Sequence, residues 1–266
     1  MSGDWLSLAA DGVFPVTVDG DGRALAAPPA SGFPFAGTVQ GEGKLCGIPS
    51  LFVRLAGCNL RCAWAGCPCD TVYAARGTAT RVATLEVARR VARNLGNIRH
   101  VVITGGEPLL QPRGVERLCR LLGEMAPVHV TVESNATLFD EGVADAVDLM
   151  SLSPKLATSA PATDAGHHAA RVDAGVIQRF ISRAGERGRD FQLKFVFSAA
   201  EDAVEIRKIL ARLRGWRNED VLLMPLGATT EALQRVALAA AGCAVREGWR
   251  YCDRLHVSLF GNRPGV

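Results

Sequence analysis

Short apolar segments alternate with amphipathic ones along most of the chain, and this alternation limits the possible folds more than any other feature. Six of the apolar segments are rich in β-branched or large apolar residues and are followed by Gly, Pro, Ser or Asn. They are residues 51–55, 100–104, 128–132, 149–152, 192–197 and 221–224. Segments of this length and composition are typical of parallel strands that are buried on both faces.

The segments between the strands have the apolar spacing of helices, as in residues 85–95, 204–213 and 233–240. Repeated strand–helix units predict one α/β domain over residues 38–266, built as an open parallel sheet or a partial (β/α) barrel wrapped by helices. Residues 1–37, rich in Gly, Pro, Ala and Asp, predict a loosely structured lead-in with one hairpin. Residues 157–190 interrupt the alternation and predict a surface insertion, in which His167 and His168 are expected to be solvated.

Composition excludes several classes of protein. Hydrophobic residues make up 48% and charged residues 21%, which is ordinary globular usage and argues against disorder or a fibrous fold. A formal charge of +3, scattered along the chain, does not indicate nucleic-acid binding. No apolar run approaches the roughly 18 residues that span a bilayer, and the polar start at Ser2 and Asp4 is unlike a secretory signal. We therefore expect a cytoplasmic protein without a membrane partner.

Eight cysteines are present, and four of them, Cys58, Cys62, Cys67 and Cys69, lie within one short segment after the first predicted strand. Clustered thiols in a chain without an export signal indicate metal ligands rather than disulfides. Soft sulfur ligands suit either zinc or an iron–sulfur cluster. A structural zinc site usually takes two compact pairs of ligands, and no second Cys/His pair follows here, so zinc is the weaker alternative.

The order of several motifs resembles that of the radical S-adenosylmethionine enzymes, and more specifically of the 7-carboxy-7-deazaguanine synthase family. The segments that carry the resemblance are VQGEG at 39–43, FVRLAGCNLRC at 52–62, CDT at 69–71, ITGGEPLLQ at 103–111, SPK at 153–155, QLKF at 192–195 and the closing stretch 255–262. The resemblance is dense over residues 36–156 and thinner over 190–266. It implies the partial (β/α) barrel of the radical S-adenosylmethionine type.

The resemblance implies that Cys58, Cys62 and Cys69 hold a [4Fe–4S] cluster whose fourth iron binds S-adenosylmethionine. Residues 65–68 read as an insertion between the second and third family cysteines, which makes Cys67 a rival for the third ligand. We favour Cys69 because the family's Asp-Thr pair, Asp70 and Thr71, follows it.

Further site residues follow from the resemblance. The cofactor-binding candidates are Pro68, Cys69, Asp70, Gly106, Glu107, Ser134, Ser153, Pro154 and Lys155. Glu107 is expected to accept a hydrogen bond from the ammonium group of the cofactor. Thr71, with Asp70 as a further candidate, is expected to bind Mg²⁺ that orients the substrate carboxylate; the alternative for Thr71 is a helix N-cap. For Ser134 the alternative is a capping hydroxyl.

The implied substrate is 6-carboxy-5,6,7,8-tetrahydropterin, which presents an edge of N–H donors and one carboxylate. The substrate-binding candidates are Val39, Gln40, Gly41, Glu42, Arg54 and Thr104. Arg54 interrupts an apolar strand, where an unpaired charge is costly, so we expect its partner to be either the substrate carboxylate or a neighbouring acid.

The implied reaction begins when a 5′-deoxyadenosyl radical removes hydrogen from the substrate carbon that bears the carboxylate. Ring contraction and loss of ammonia then give 7-carboxy-7-deazaguanine, a precursor of queuosine and other deazapurines. The implied partners are a flavodoxin- or ferredoxin-type reductant and a second copy of the chain in a homodimer. Two alternatives stay open: another radical S-adenosylmethionine enzyme, such as a glycyl-radical activase, and a non-catalytic zinc or thiol-cluster binding protein.

Overall fold

A computed structural model of the protein describes residues 3–64, 67–160, 163–261 and 263–266. Within them the strands are β1 (Trp5–Phe14), β2 (Thr38–Val39), β3 (Pro49–Leu55), β4 (Ala63–Trp64), β5 (Cys67–Pro68), β6 (Thr80–Ala83), β7 (His100–Gly105), β8 (His129–Ser134), β9 (Leu149–Leu152), β10 (Asp190–Phe197), β11 (Val221–Pro225) and β12 (Arg250–Tyr251). The helices are α1 (Val72–Arg76), α2 (Thr84–Asn94), α3 (Pro112–Met125), α4 (Glu141–Ala146), α5 (Ala165–Ala170), α6 (Ala174–Arg187), α7 (Ala200–Leu210), α8 (Thr230–Glu247) and α9 (Leu255–Phe260).

The main sheet has the order β12-β11-β10-β9-β8-β7-β3-β1-β6, with β2 also paired to β3. All strands from β3 to β12 in this order run parallel, whereas β1, β2 and β6 add antiparallel pairs at one side. The six predicted strands are confirmed as β3, β7, β8, β9, β10 and β11. Parallel strands joined by helices are the α/β architecture that the sequence predicts.

The main hydrophobic core lies between the sheet and the helices. Every residue of β7, β9 and β11 is buried, as is typical of parallel strands covered on both faces. A small second cluster, Phe14, Phe52 and Val102, lies on the opposite face from the main core, and the rings of Phe14 and Phe52 stack at 5.4 Å. This second face leads to the functional cavity.

The prediction for the N-terminal 37 residues is wrong for residues 5–14. These residues form β1, which lies inside the sheet between β3 and β6. The register between β1 and β3 shifts between Leu8 and Val13, so residues 9–12 form a bulge. Gly12 adopts φ +55° in this bulge. The glycine and the polar bulge residues conceal the strand pattern, because the alternation of apolar residues is broken in the middle.

The predicted surface insertion also differs from the structure. Residues 174–187 form α6, the crossover helix between β9 and β10, and bury Ile177, Phe180 and Ile181 in the main core. His167 on α5 is 4% exposed rather than solvated. Pro161 and Ala162 lie outside the described residues. None of the helices among the described residues is long and apolar enough to cross a membrane.

Candidate active site

A cavity of about 690 Å³ opens at the carboxyl ends of the parallel strands. This is the edge of the sheet where α/β folds place their chemistry. Sixteen of the residues predicted from sequence line it: Val39, Gln40, Gly41, Glu42, Arg54, Cys58, Cys62, Pro68, Cys69, Asp70, Thr71, Thr104, Gly106, Ser134, Ser153 and Lys155. The two remaining candidates whose side chains are described, Glu107 and Pro154, are buried beside the cavity.

The cysteine loop runs from the end of β3 to α1. Cys58, Cys62 and Cys69 are half-buried, and all three line the cavity. The amide of Asn135 donates to Cys58 Sγ at 3.9 Å, and the Leu60 N–H donates to the same sulfur at 3.5 Å. The loop therefore presents three thiols to one space, and Asn135, directly after β8, helps to fix the first of them.

Two short strands on either side of residues 65 and 66 pair within this loop, and we call this pair the β4–β5 hairpin. β4 and β5 pair antiparallel, with Ala63 opposite Pro68 and Trp64 opposite Cys67. Cys62 and Cys69 directly flank this pairing, so the hairpin brings them opposite each other although six residues separate them. The side chain of Cys67 and residues 65–66 lie outside the described part of the structure.

Burial raises the pKa of the Cys58 thiol and raises that of Cys62 to about 11, although Lys155 opposes the shift at both sulfurs. A bound metal would reverse this, because a coordinated thiol is deprotonated. Among the described residues, no three His, Cys, Asp or Glu side chains surround a position for one metal ion. The thiolates of a cubane bind three different irons, so a cluster requires no such close grouping, and the donor set fits it.

The turn after β7 packs directly on the cysteine loop. Gly105 has φ +146°, and a Cβ there would overlap the Leu55 carbonyl oxygen. A Cβ on Gly106 would overlap the Gly57 carbonyl oxygen, and the Glu107 N–H donates to that oxygen at 2.8 Å. Only glycine fits both positions. The two glycines are needed because the backbone of the β7 turn lies directly against the backbone of residues 55 and 57.

Glu107 is fully buried, and protein groups satisfy its carboxylate. It accepts from Asn135 N–H at 2.7 Å, from the Ser134 hydroxyl at 2.9 Å and from Leu109 N–H at 3.0 Å. Burial raises its pKa, although these hydrogen bonds oppose the shift. The carboxylate therefore ties the β7 turn to the end of β8, and a direct contact with a cofactor ammonium stays a prediction.

One wall of the cavity carries a chain of ion pairs. Glu42 pairs with Lys194 and, at 3.0 Å, with Arg254, which in turn pairs with Asp70. Burial opposes the ionisation of Glu42, but Lys194 and Arg254 outweigh it and hold its pKa below the usual value. Burial likewise acts to lower the pKa of Lys194, whereas the Glu42 carboxylate raises it above the usual value. Glu42 and Lys194 are therefore both charged at neutral pH.

Sequence reasoning did not select Lys194 or Arg254. Lys194 carries the same signal as Arg54, a charge inside a buried apolar strand, and could have been found by that argument. Arg254 lies in a short loop after β12 and has no local signal, because its partners are about 180 to 210 residues away.

A further carboxylate, Glu133 at the end of β8, lies between two predicted substrate residues. The Gln40 amide donates to its Oε1 at 3.1 Å, and the Thr104 hydroxyl donates to its Oε2 at 2.9 Å. The sequence predicts its neighbour Ser134 as a site residue but does not single out Glu133. Two partners thus fix an ionisable acceptor on the cavity wall.

Arg54 both lines the cavity and has an acidic partner. Its Nε donates to Asp11 Oδ2 on the β1 bulge at 2.7 Å. The structure therefore supplies the neighbouring acid that the sequence left as one of two alternatives.

The segment after Lys155 contacts the cysteine loop through His167 on α5. His167 Nδ1 accepts from the Arg61 N–H at 3.1 Å, inside the Cys58–Cys62 turn. Lys155 Nζ donates to the Ser153 hydroxyl at 2.9 Å, and the carbonyl of Lys155 accepts from Arg171. The expectation of a solvated histidine pair is therefore wrong for His167, which is buried and accepts a hydrogen bond from the cysteine loop.

Comparison with known proteins places this geometry in a family. Residues 53–155 match the family described as the radical SAM superfamily. The 7-carboxy-7-deazaguanine synthase of Halobacterium salinarum is 38% identical over 237 residues, which cover 85% of this chain and 89% of the relative. The chain belongs to the 7-carboxy-7-deazaguanine synthase family. The synthase of Rhodopirellula baltica is 37% identical over 236 residues, covering 85% of each chain.

The fold agrees with this membership. The crystal structure of QueE from Escherichia coli superposes with a TM-score of 0.60 at 21% identity, covering 92% of this chain and 95% of that one. A 7-carboxy-7-deazaguanine synthase is a radical S-adenosylmethionine enzyme, so family membership implies a [4Fe–4S] cluster and S-adenosylmethionine as cofactors. The three thiols of the cysteine loop are a donor set that fits this cluster.

Proposed function

We propose that this protein is a carbon–nitrogen lyase that converts 6-carboxy-5,6,7,8-tetrahydropterin to 7-carboxy-7-deazaguanine with loss of ammonia. One observation carries the proposal: a single cavity joins the thiols of the cysteine loop to the Arg54 guanidinium and the Glu133 carboxylate. The thiols suit a radical-generating cluster, and the two charged groups suit the two ends of a carboxypterin. The dimensions of the cavity allow cofactor and substrate to lie side by side.

Cys58, Cys62 and Cys69 are the cluster ligands in this proposal. The hairpin pairing of Ala63 with Pro68 supports Cys69 as the third ligand, because it brings Cys69 opposite Cys62 despite the insertion. The cluster and S-adenosylmethionine, when bound, supply the adenosyl radical that starts the reaction. The residues of this chain hold the reactants in place and keep water from the radical.

The cofactor lies along the ends of β7, β8 and β9 in this proposal. Gly106 offers backbone at close range, and the hydroxyls of Ser134 and Ser153, with the Lys155 ammonium, offer polar contacts on the same wall. Pro68 and Asp70 border the space from the cysteine loop. Glu107 and Pro154 do not line the cavity themselves. They are proposed to fix the β7 turn and the end of β9, which carry these groups.

The substrate's donor edge is proposed to meet Glu133, which Gln40 and Thr104 hold in place. A carboxylate accepts paired N–H donors with good geometry. The backbone of Val39–Gly41 and the Glu42 carboxylate border the same region. Arg54 is proposed to bind the substrate carboxylate, for which a planar guanidinium is better suited than an ammonium.

Thr71 is proposed to bind Mg²⁺ together with the substrate carboxylate. It precedes α1, but its hydroxyl makes no capping hydrogen bond, so the N-cap alternative is not the role that its geometry supports. The hydroxyl lies 3.4 Å from Cys69 Sγ and lines the cavity. Magnesium accepts few protein ligands when substrate and water supply the rest. Asp70 is engaged by Arg254, which makes it the weaker candidate.

The reaction needs one electron from outside the chain, and we propose a flavodoxin- or ferredoxin-type protein as its source. We further propose that the enzyme acts in the cytoplasm as a homodimer. Zonal sedimentation of the cluster-loaded protein tests the dimer, and reduction by each donor type, followed by S-adenosylmethionine cleavage, tests the reductant.

Anaerobic incubation of the reduced enzyme with S-adenosylmethionine, Mg²⁺ and the carboxypterin tests the proposed function. Chromatography is expected to show a new species with the ultraviolet spectrum and mass of 7-carboxy-7-deazaguanine. Cleavage of S-adenosylmethionine without this product would instead favour another radical enzyme, such as a glycyl-radical activase. A colourless protein that binds zinc would favour the non-catalytic alternative.

A further inference from the structure

The β1 bulge brings a carboxylate to the cavity from a part of the chain that sequence motifs do not mark. In the β1–β3 pair, Leu8 lies opposite Leu55 and Val13 lies opposite Val53. Four residues of β1 therefore lie opposite the single residue Arg54. The extra residues of a bulge re-aim a side chain, and here Asp11 is directed to the Arg54 guanidinium.

The Arg54 guanidinium group is held by a hydrogen bond at its Nε and by two aromatic rings near its plane. Asp11 Oδ2 accepts from Arg54 Nε at 2.7 Å and from the Tyr73 hydroxyl at 2.8 Å. The Phe14 ring lies 5.0 Å from the guanidinium carbon and the Tyr73 ring lies 5.8 Å from it. These contacts leave the guanidinium one orientation rather than the many that a free arginine samples.

The ion pair uses only one oxygen and one nitrogen. Arginine–carboxylate pairs are frequently bidentate, with two parallel hydrogen bonds. Here Asp11 Oδ1 is buried without a hydrogen-bond partner among the described residues. Within the same residues, Arg54 Nη1 and Nη2 donate to no protein group. The terminal fork of Arg54 is therefore available to a ligand in the cavity that this residue lines.

We propose that Asp11 and Tyr73 are positioning residues that aim the free Nη1–Nη2 fork of Arg54 at the substrate carboxylate and so set the preference for a carboxylated pterin. This inference rests on the proposed function. A fork with two parallel donors recognises a carboxylate only when its plane is fixed. Asp11 fixes that plane by binding Nε, and Tyr73 fixes Asp11.

Equilibrium dialysis of the cluster-loaded protein under anaerobic conditions tests the proposal with two probes, 6-carboxypterin and unsubstituted pterin. The ratio of their dissociation constants measures the preference for the carboxylate. In Asp11→Asn we expect this ratio to fall about tenfold, because a mis-aimed fork loses its paired geometry, while pterin binds as in the wild type. Asp21→Asn, the same change in the exposed Asp21–Arg23 pair, is the matched control and is expected to keep the wild-type ratio.

Tyr73→Phe keeps the ring and removes the hydroxyl, and it carries the test if Asp11→Asn does not fold. We expect a smaller fall in the same ratio. A wild-type ratio in either folded variant overturns the positioning role, and so does an equal loss of affinity for both probes, which a general structural defect would cause. A wild-type protein that binds both probes equally overturns the role proposed for Arg54 as well, so the two failures are distinguishable.

Discussion

At the scale of single residues, the cysteine loop gives the most direct prediction. Cys62 and Cys69 flank the β4–β5 hairpin, and both line the cavity with Cys58. Alanine at any of these three positions is expected to abolish the bound cluster and all deazapurine formation, because a [4Fe–4S] site needs each thiolate. Iron and sulfide content after anaerobic reconstitution, with activity, measures the effect.

Two other cysteines serve as comparisons for that experiment. Cys67→Ala is expected to retain iron, and Cys46→Ala, which changes an exposed thiol outside the cysteine loop, is the matched control. A cluster that survives in Cys69→Ala and is lost in Cys67→Ala would reverse the assignment of the third ligand.

The role of the Thr71 hydroxyl predicts a different response from two substitutions of nearly equal size. Thr71→Ser keeps the oxygen and is expected to retain Mg²⁺-stimulated activity within a few-fold, whereas Thr71→Val removes the oxygen and is expected to lose the stimulation. A magnesium titration of the rate distinguishes the two variants. Equal rates and equal magnesium dependence in both would exclude Thr71 as a ligand.

Sequence reasoning at this scale found the residues that belong to motifs and missed those that act through distant partners. Sixteen candidates line one cavity because strand ends in a parallel sheet converge. Asp11, Glu133 and Arg254 were missed as site residues because their partners lie from about 30 to more than 200 residues away in the chain. A local sequence pattern does not show which distant residue a charged side chain will contact in the folded protein.

At the scale of elements, the β7 turn depends on the absence of side chains. Gly105→Ala is expected to lower the free energy of unfolding by about 2 kcal/mol or more, since φ +146° is a glycine conformation and the added Cβ overlaps the Leu55 backbone. Urea denaturation of wild type and variant, both with the cluster bound or both without it, measures this change in the free energy of unfolding.

Gly123 in α3 is the control for that substitution, because a Cβ there meets nothing within 4 Å. Gly123→Ala is expected to raise stability by about 0.5–1 kcal/mol through helix propensity. Equal effects of the two substitutions would contradict the close-packing explanation of the Gly105 turn.

The elements that the sequence predicted best are those buried on both faces. The strands β7 and β11 are mainly apolar runs with clear boundaries, so their composition identifies them. β1 was missed because its bulge breaks the pattern in the middle, at Asp11 and Gly12. The sequence pattern predicts an insertion where α6 lies because an irregular segment precedes the helix, although Ile177, Phe180 and Ile181 have helical spacing.

At the scale of the whole molecule, stability is expected to depend on pH through a buried histidine. His100 lies between the Ser50 hydroxyl, 2.7 Å from Nδ1, and the Thr131 hydroxyl, 2.8 Å from Nε2, and so joins β3, β7 and β8. Burial, with the neighbouring His129, lowers its pKa from 6.5 to about 4. Between these values the unfolded chain binds a proton that the folded chain does not, so stability is lost as pH falls.

The expected loss between pH 7 and pH 5 is about 2 kcal/mol. Denaturant titrations at the two pH values measure it, and His100→Gln is expected to show a smaller difference between them than the wild type. His168→Gln, a change at an exposed histidine, is expected to keep the wild-type difference. An unchanged pH dependence in His100→Gln would show that other groups control it.

The fold class followed from the alternation of strands and helices, but the order of strands in the sheet did not. Sequence patterns identify which segments are strands, whereas the position of β1 between β3 and β6 depends on pairing across 40 to 80 residues. The cavity is likewise a property of the whole sheet, because seven strand ends and the loop after β12 contribute to it.

The proposed chemistry requires the cysteine loop to hold a cubane by three protein thiolates and to leave one iron open to S-adenosylmethionine. Electron paramagnetic resonance of the reduced, carefully deoxygenated protein is the decisive measurement. We expect a [4Fe–4S]⁺ signal that changes when S-adenosylmethionine is added. A cluster signal that is indifferent to S-adenosylmethionine, or a protein that binds no iron after reconstitution, would contradict it.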